Sequence, residues 1–369
     1  MTDCLDVSLV CDVMMDLQGA IRPAVYLAYE LTKRGYKVSI FSPIISRDVE
    51  EHLRTFGITP VNLHVRPFAK YSGFSLLWFE LWAREALFRL NSKHIFAHSP
   101  VTINFSHTFA VSSRFWYVQG PTSVALRDGE NELLGVYKFG YKILEPTINY
   151  ADKRLVKDMA KRTVFIIANS DFCASIYKNW GISIRGVIYP PIDCKIFQPH
   201  TSRPSSDYVL TYFGKETEFT VIKAVADSGV SIKAFGAKLP FMPKSLSSHP
   251  NVDFLGRVST DTLVELYSNA LFTFFPFTHE PFGYIPVESM ACGTPVLTYN
   301  MQGPRESVID GHTGWLVESS QELIHKALRL WKQGYAPQIR SNCVKMASMF
   351  DRKFYVKKWL ETLKSENSG

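Results

Sequence analysis

The chain has 369 residues, of which 46% are hydrophobic and 20% charged; that suits two globular domains with a core each and excludes a disordered polymer. A net charge of +7 attracts phosphate on a nucleotide, a nucleic acid or an anionic membrane without choosing among them. The six cysteines are scattered, with no C-x-x-C, and read as buried reduced thiols rather than disulfides or a metal site.

The beginning, MTDCLDVSLVCDV, has acidic residues where a signal peptide would carry basic ones, and no stretch has transmembrane length, so a cytoplasmic protein is expected. Leu5–Cys11 is an apolar run of strand length. A loop from Asp12 to Gly19, a periodic helix over Pro23–Arg34 and a strand over Lys37–Phe41 complete a βαβ opening. Gly19 serves either the turn alone or a close approach of the backbone to a ligand. A helix at Val49–Phe56 and a strand at Val61–His64 continue the alternation.

Between residues 68 and 94, Leu77, Leu81, Arg84 and Phe88 recur at helical spacing, with Trp78, Phe79 and Trp82 widening the apolar face and Lys70, Arg84, Arg89 and Lys93 edging it. Two readings fit: an interfacial helix with its rings at headgroup level, or a wide core face of a two-layer domain. His94–His98 and Phe115–Val118 read as strands. The helix over Leu134–Lys161 bears a basic cluster of Lys153, Arg154, Lys157 and Lys161, followed by Arg162, which reads as a solvated face. An apolar strand, Thr163–Asn169, precedes a helix capped by Ser170 or Asp171.

The polar, proline-bearing Phe197–Ser206 marks a linker. The expected division is a first domain at 1–198, a linker at 199–206, a second domain at 207–349 and a last helix within 350–369. In the second domain, Tyr208–Phe213, Ser231–Phe235, Val252–Leu255, Ala270–Phe275, Pro295–Tyr299 and Gly314–Val317 are strands. Helices near Phe219–Ser228, Thr260–Ser268, Ile285–Ala291 and Glu322–Trp331 alternate with them, giving an α/β chain with two parallel sheets. No D-x-D or His/Asp/Cys cluster has metal-ligand spacing.

HEPFGYIPVESMACGTPV, residues 279–296, places Glu280 on a loop after a buried strand and Glu288 seven residues further on, in a helix. Loops at the carboxyl ends of such strands hold ligands, and the helix start that follows presents N–H groups to anions. Carboxylates accept hydrogen bonds from hydroxyls, so a polyhydroxylated ligand carrying phosphate suits the pair; a nucleotide sugar is one.

The run from Pro276 to Val317 resembles the signature of the retaining glycosyltransferases of GT-B architecture, the group 1 or family 4 type, with two Rossmann-like domains. TVFIIANSDFCASIYKNWGISIRGVIYPPIDCKIFQP resembles the end of that family's first domain, and WYVQGPTS resembles a segment of lipid-linked oligosaccharide mannosyltransferases. The resemblance implies Glu280 at the donor sugar and Glu288 at the ribose, with the departing diphosphate met by Lys215 after Gly214, by N–H groups around Phe282 and Gly283, and by Gly19. It further implies Gly256, Arg257 and Val258 at the base and a final helix crossing back to the first domain. Three positions depart from the family pattern. Gln119 stands where many mannosyltransferases have a histidine, Lys215 where an arginine is usual, and Gln18 with Gly19 where two glycines are common. A glutamine cannot titrate, so Gln119 is limited to hydrogen bonding, with His107 the nearest upstream histidine.

The activity implied by the resemblance is retaining, metal-independent transfer of a hexose, mannose favoured, from a GDP- or UDP-linked sugar to a glycan or lipid-linked acceptor, with no cofactor. Peripheral membrane association through Trp78, Trp82 and Arg84 belongs to the interfacial reading of the 68–94 helix. The rival is a sugar- or nucleotide-binding protein without turnover on the same fold. A nucleic-acid partner is not expected, since the basic residues follow no recognition motif.

Overall fold

The computed structural model describes residues 6–17, 19–68, 74–91, 101–130, 135–201, 204–237 and 242–365. The chain forms two compact units. The first takes in Met1–Arg127, Tyr141–Pro191 and Tyr355–Gly369, the second Asp128–Gly140 and Ile192–Phe354. Each is built on a parallel sheet, as the alternation of strand and helix requires.

In the first unit the strands are β1 (Asp6–Val10), β2 (Lys37–Ser42), β3 (Thr59–Asn62), β4 (Val101–Asn104), β5 (Ser113–Val118), β6 (Thr163–Ala168) and β7 (Gly186–Val187), in the spatial order β3-β2-β1-β4-β5-β6-β7. Its helices are α1 (Arg22–Lys33), α2 (Arg47–Thr55), α3 (Phe74–Phe88), α4 (Thr122–Asp128, whose last residue belongs to the second unit), α5 (Gly135–Lys161, shared between the units) and α6 (Asp171–Asn179). The Ser46 and Ser170 hydroxyls cap α2 and α6 by accepting from Val49 N and Cys173 N. The expected strand at His94–His98, with Gln18, Lys70, Lys93 and Cys4, lies outside the described residues. β4 was not anticipated.

The second unit contains β8 (Val209–Phe213), β9 (Ile232–Gly236), β10 (Val252–Gly256), β11 (Thr273–Phe275), β12 (Val296–Tyr299) and β13 (Gly314–Val317), in the order β10-β9-β8-β11-β12-β13. Its helices are α7 (Phe219–Asp227), α8 (Lys244–Ser247), α9 (Thr260–Asn269), α10 (Tyr284–Ala291), α11 (Pro304–Ser307), α12 (Ser320–Gln333) and α13 (Gln338–Ala347). β11 is three residues long, shorter than its apolar run suggests. Pro276 has no N–H for a ladder and ends the strand there.

The last helix, α14 (Arg352–Ser365), brings Tyr355, Val356 and Trp359 into the first unit's core beside Phe105, Phe115 and Tyr117. The second unit starts at Ile192 because that segment is tied to residues 350–352. Ile192 N donates to Phe350 O at 3.0 Å and Arg352 pairs with Asp193 at 2.8 Å.

Both sheets reverse their winding once, between β1 and β4 and between β8 and β11. At such a point the helices that follow the two strands lie on opposite faces of the sheet, and ligands bind beyond the strands' carboxyl ends.

Candidate functional site

In the second unit the loops leaving β8 and β11 run side by side. Thr217 and Phe277 form an antiparallel bridge, Thr278 N donates to Glu216 O at 2.8 Å, and Glu218 N donates to Pro276 O at 3.3 Å. Lys215 is exposed at the turn of the first loop. Gly214 before it is required by space: an added Cβ would stand 2.1 Å from the Tyr212 ring and 2.7 Å from the Glu216 carboxylate.

Glu280 sits on the second loop, half-buried, just ahead of α10. Its Oε1 accepts from Gly283 N at 3.0 Å and from Phe282 N at 3.5 Å, so the side chain folds over the helix start. Gly283 precedes α10 in the left-handed region, φ +95°, which favours glycine. Burial and the neighbouring Glu216 push the Glu280 carboxyl up to about 7, against the pull of the Gly283 and Phe282 N–H groups and Lys215. The N–H groups expected to meet a diphosphate are thus already engaged by Glu280, a competition that residue spacing does not reveal.

Glu288 lies on α10, whose residues from Pro286 to Ala291 are all buried, and is itself 3% exposed. A carboxylate at such a place needs polar company, and the Tyr267 hydroxyl stands 3.5 Å away. Tyr212 links the group. Burial first, then Glu216, Glu280 and Glu288, push its phenol upward, while Arg257 pulls it down. Glu216, Glu280, Glu288 and Arg257 thus all act on the Tyr212 phenol, and Lys215 acts on Glu280. Gly256, φ +70°, ends β10 beside them, with Arg257 exposed and Val258 half-buried.

Two residues there were missed from sequence. Tyr212 looks like any strand aromatic. Gln302, in the turn after β12, has φ +56°, and its side chain accepts from Glu280 N at 2.6 Å. Reading NMQGPRE for its glycine alone gives no signal for either role.

In the first unit, Gly19 is exposed at φ +59° with open space around a would-be Cβ, so only the turn demands glycine. Gln119 is brought to it: its Nε2 donates to Ala20 O at 3.0 Å. His107 is buried, and its Nε2 accepts from the Gln119 backbone N–H at 3.2 Å. Burial holds its pKa down against the pull of Asp12 and Asp152, so the ring is neutral, with Nε2 occupied as an acceptor. That atom is not free to act as a base.

The tryptophans of α3 turn inward. Trp82 is 2% exposed and donates to Asp152 Oδ1 at 3.0 Å, while Trp78 donates to Asp12 Oδ2 at 3.1 Å. Arg84 donates to Arg66 O at 2.8 Å and stacks over Phe68 at 4.6 Å. Of the two readings of this helix, these contacts are those of the core face. The sequence shows how wide the apolar face is but not the buried carboxylates awaiting the indoles.

Asp12, just beyond β1, had no sequence signal. Its carboxylate accepts from the backbone N–H groups of His107 at 3.2 Å and Thr108 at 3.1 Å, from the Thr108 hydroxyl at 2.6 Å, and from Ser106 and Trp78. Among the described residues no group of three His, Cys, Asp or Glu side chains is placed to hold a metal ion.

Residues 18–196 match the family described as Glycosyltransferase Family 4, and residues 237–348 match Glycosyl transferases group 1. The chain belongs to this glycosyltransferase family. Its fold is GT-B: the sucrose-phosphate synthase of Thermosynechococcus elongatus superposes with a TM-score of 0.74, covering 99% of both chains at 17% identity. An uncharacterized glycosyltransferase of Methanocaldococcus jannaschii is 28% identical over 56% of this chain and 63% of its own length. An alpha-1,3/1,6-mannosyltransferase of Neurospora crassa is 43% identical over 20% of this chain and 16% of its own. The matched segments span less than two thirds of these curated relatives. The first match begins after β1 and lies mainly in the first unit; the second begins after β9, lies within the second unit and contains Arg257, Glu280, Glu288 and Gln302.

Proposed function

We propose that the protein is a retaining glycosyltransferase that moves a hexose from a nucleoside-diphosphate sugar to a hydroxyl of a glycan or lipid-linked acceptor. The observation that carries this is that Glu280, on the loop leaving β11 at the switch point of the second sheet, feels Lys215 from the loop leaving β8, while Glu280, Glu288 and Arg257 all act on Tyr212. In the reaction the bond from the anomeric carbon to the diphosphate breaks, the acceptor oxygen takes its place, and the acceptor's proton passes to the departing diphosphate. Charge grows on the departing diphosphate and on an oxocarbenium-like sugar. Lys215 and Arg257 answer the first as fixed cations, without a resident metal. Glu280, poised near neutrality, hydrogen-bonds the sugar, and Glu288 takes the ribose. Mannose is favoured as the sugar by the likeness to mannosyltransferases.

A screen of GDP-, UDP- and ADP-linked sugars by thermal shift tests the donor, since a ligand bound by the native state raises the melting temperature. One class is expected to stabilise the protein; stabilisation by none removes the reading. The Glu280→Ala variant is expected to lose transfer by roughly a hundredfold or more, with nucleotide affinity largely kept. Donor binding by the wild type without turnover on any acceptor would favour the binding-protein alternative.

For a lipid-linked acceptor the protein would work at a membrane surface. Among the described residues no helix is long and apolar enough to cross one. Support for peripheral association comes from α5 rather than α3. Phe139, Ile143, Leu144 and Tyr150 are exposed from near its start to its middle, and Lys153, Arg154, Lys157 and Lys161 follow them. Apolar side chains beside a basic run complement an anionic lipid interface. Flotation with anionic liposomes is expected, and its loss in Ile143→Asp/Leu144→Asp protein would assign the surface. A wild type that stays at the bottom of the gradient would refute it.

A further inference from the structure

We infer that Gln302 is a positioning residue for the donor site, holding the Glu280 loop through its side chain at the cost of a left-handed backbone. The inference rests on the proposed donor site and adds to it a residue that neither of the two glutamates nor the basic side chains would suggest.

Three observations combine. Gln302 adopts φ +56°, a region that a residue with a Cβ enters only when its surroundings fix it there. Its Oε1 accepts from Glu280 N at 2.6 Å, while its Nε2 donates to Thr278 O at 3.1 Å and to Asp128 Oδ2 at 3.4 Å. One amide thus grips the loop on both sides of His279, whose own Nδ1 lies 2.9 Å from the same Asp128 oxygen. The orientation of the amide is set by chemistry: Glu280 N can only donate, and Thr278 O can only accept.

The third observation is the next residue. Gly303 N donates to Glu280 O at 3.0 Å, and a Cβ on Gly303 would fall 2.4 Å from Phe282 Cα and 2.5 Å from Phe282 N. The turn at 302–303 is therefore pressed against the loop that bears Glu280. Within it, the left-handed residue supplies by its side chain the acceptor that Glu280 N needs. A glycine at 302 would fit the backbone better and make none of these contacts. Strain kept where a less strained residue is available points to a role in function rather than in stability.

Gln302→Gly separates the two. The expected result is a melting temperature equal to or above that of the wild type, together with faster amide hydrogen exchange in the 278–284 segment. The kcat for transfer should fall by roughly ten- to a hundredfold, as for displaced reacting groups, with donor KM within about threefold. Gln302→Glu keeps an acceptor for Glu280 N but cannot donate to Thr278 O when ionised, and it faces Asp128; it should not rescue kcat. Unchanged exchange and kcat in Gln302→Gly would overturn the inference. So would a drop in melting temperature that accounts for the lost activity. If no nucleotide sugar binds the wild type, the donor reading fails by itself, and the exchange of 278–284 still decides whether Gln302 holds the loop.

Discussion

The two sheets reverse at equivalent places, and each puts a carboxylate there, but the two are furnished in opposite ways. Asp12, beyond β1, is surrounded by donors from other parts of the chain: two backbone N–H groups, two hydroxyls and an indole. Glu280, beyond β11, meets two N–H groups of its own loop and has another carboxylate, Glu216, for a neighbour. A carboxylate fully supplied with donors is committed to structure. One held in place with few partners and a raised pKa keeps the capacity to bind a hydroxyl. Equivalent topology thus yields a fastening in the first unit and, in the second, a carboxylate left with room for a further partner.

The comparison breaks most readily at Asp12. Replacing it with alanine leaves several buried donors without an acceptor, and a loss of about 3–5 kcal/mol is expected. Denaturant titration followed by the first unit's tryptophans, Trp82 and Trp116 among them, would report it. Glu280→Ala in the same assay should cost less than about 1 kcal/mol, since its loop has the Gln302 and Gly303 contacts as well. Equal losses in both variants would abolish the distinction.

A smaller effect is expected at Lys215. It is exposed, so its removal should leave folding unaltered while weakening nucleoside-diphosphate binding about tenfold, with a shallower salt dependence. Calorimetric titration at two ionic strengths measures both. Lys215→Arg tests whether the guanidinium fork binds better than a point charge in this loop.

The sheets were legible because parallel strands buried on both faces leave near-continuous apolar runs, as in Val209–Phe213 and Val296–Tyr299, and because glycines punctuate the helices between them. The strand-to-helix turn that Glu280 and Glu288 straddle, where the donor site is proposed, was legible too. The hidden features depend on partners distant in sequence. Asp12 gains its meaning from residues 106–108, more than ninety positions on, and Trp82 from Asp152, seventy positions on. Gln302 owes its role to a backbone conformation that no residue type announces, and the α5 surface emerges only once the inward face of α3 is known. Gln119, placed by a departure from the family pattern, turns out to touch the Gly19 turn through Ala20, a connection no local pattern contains.

The gentlest test concerns pH. The Glu280 carboxyl, ordinarily near 4.5, titrates at about 7 in the folded protein, burial being the main cause. Below pH 4.5 both folded and unfolded chains hold the proton, and this group does not bias folding. Between about 4.5 and 7 the unfolded chain gives up its proton while the folded one keeps it, so stability falls as pH rises through that window; above 7 it levels off. Glu280→Gln stays neutral throughout and removes this slope. The difference in unfolding free energy between wild type and Glu280→Gln should therefore decline from pH 4.5 to 7 and stay flat on either side. The effect is modest, because two N–H groups favour the charged form of the carboxyl. A difference already flat above pH 5 would mean that Glu280 is an ordinary, well-solvated carboxylate, and the contrast with Asp12 would then rest on partners alone.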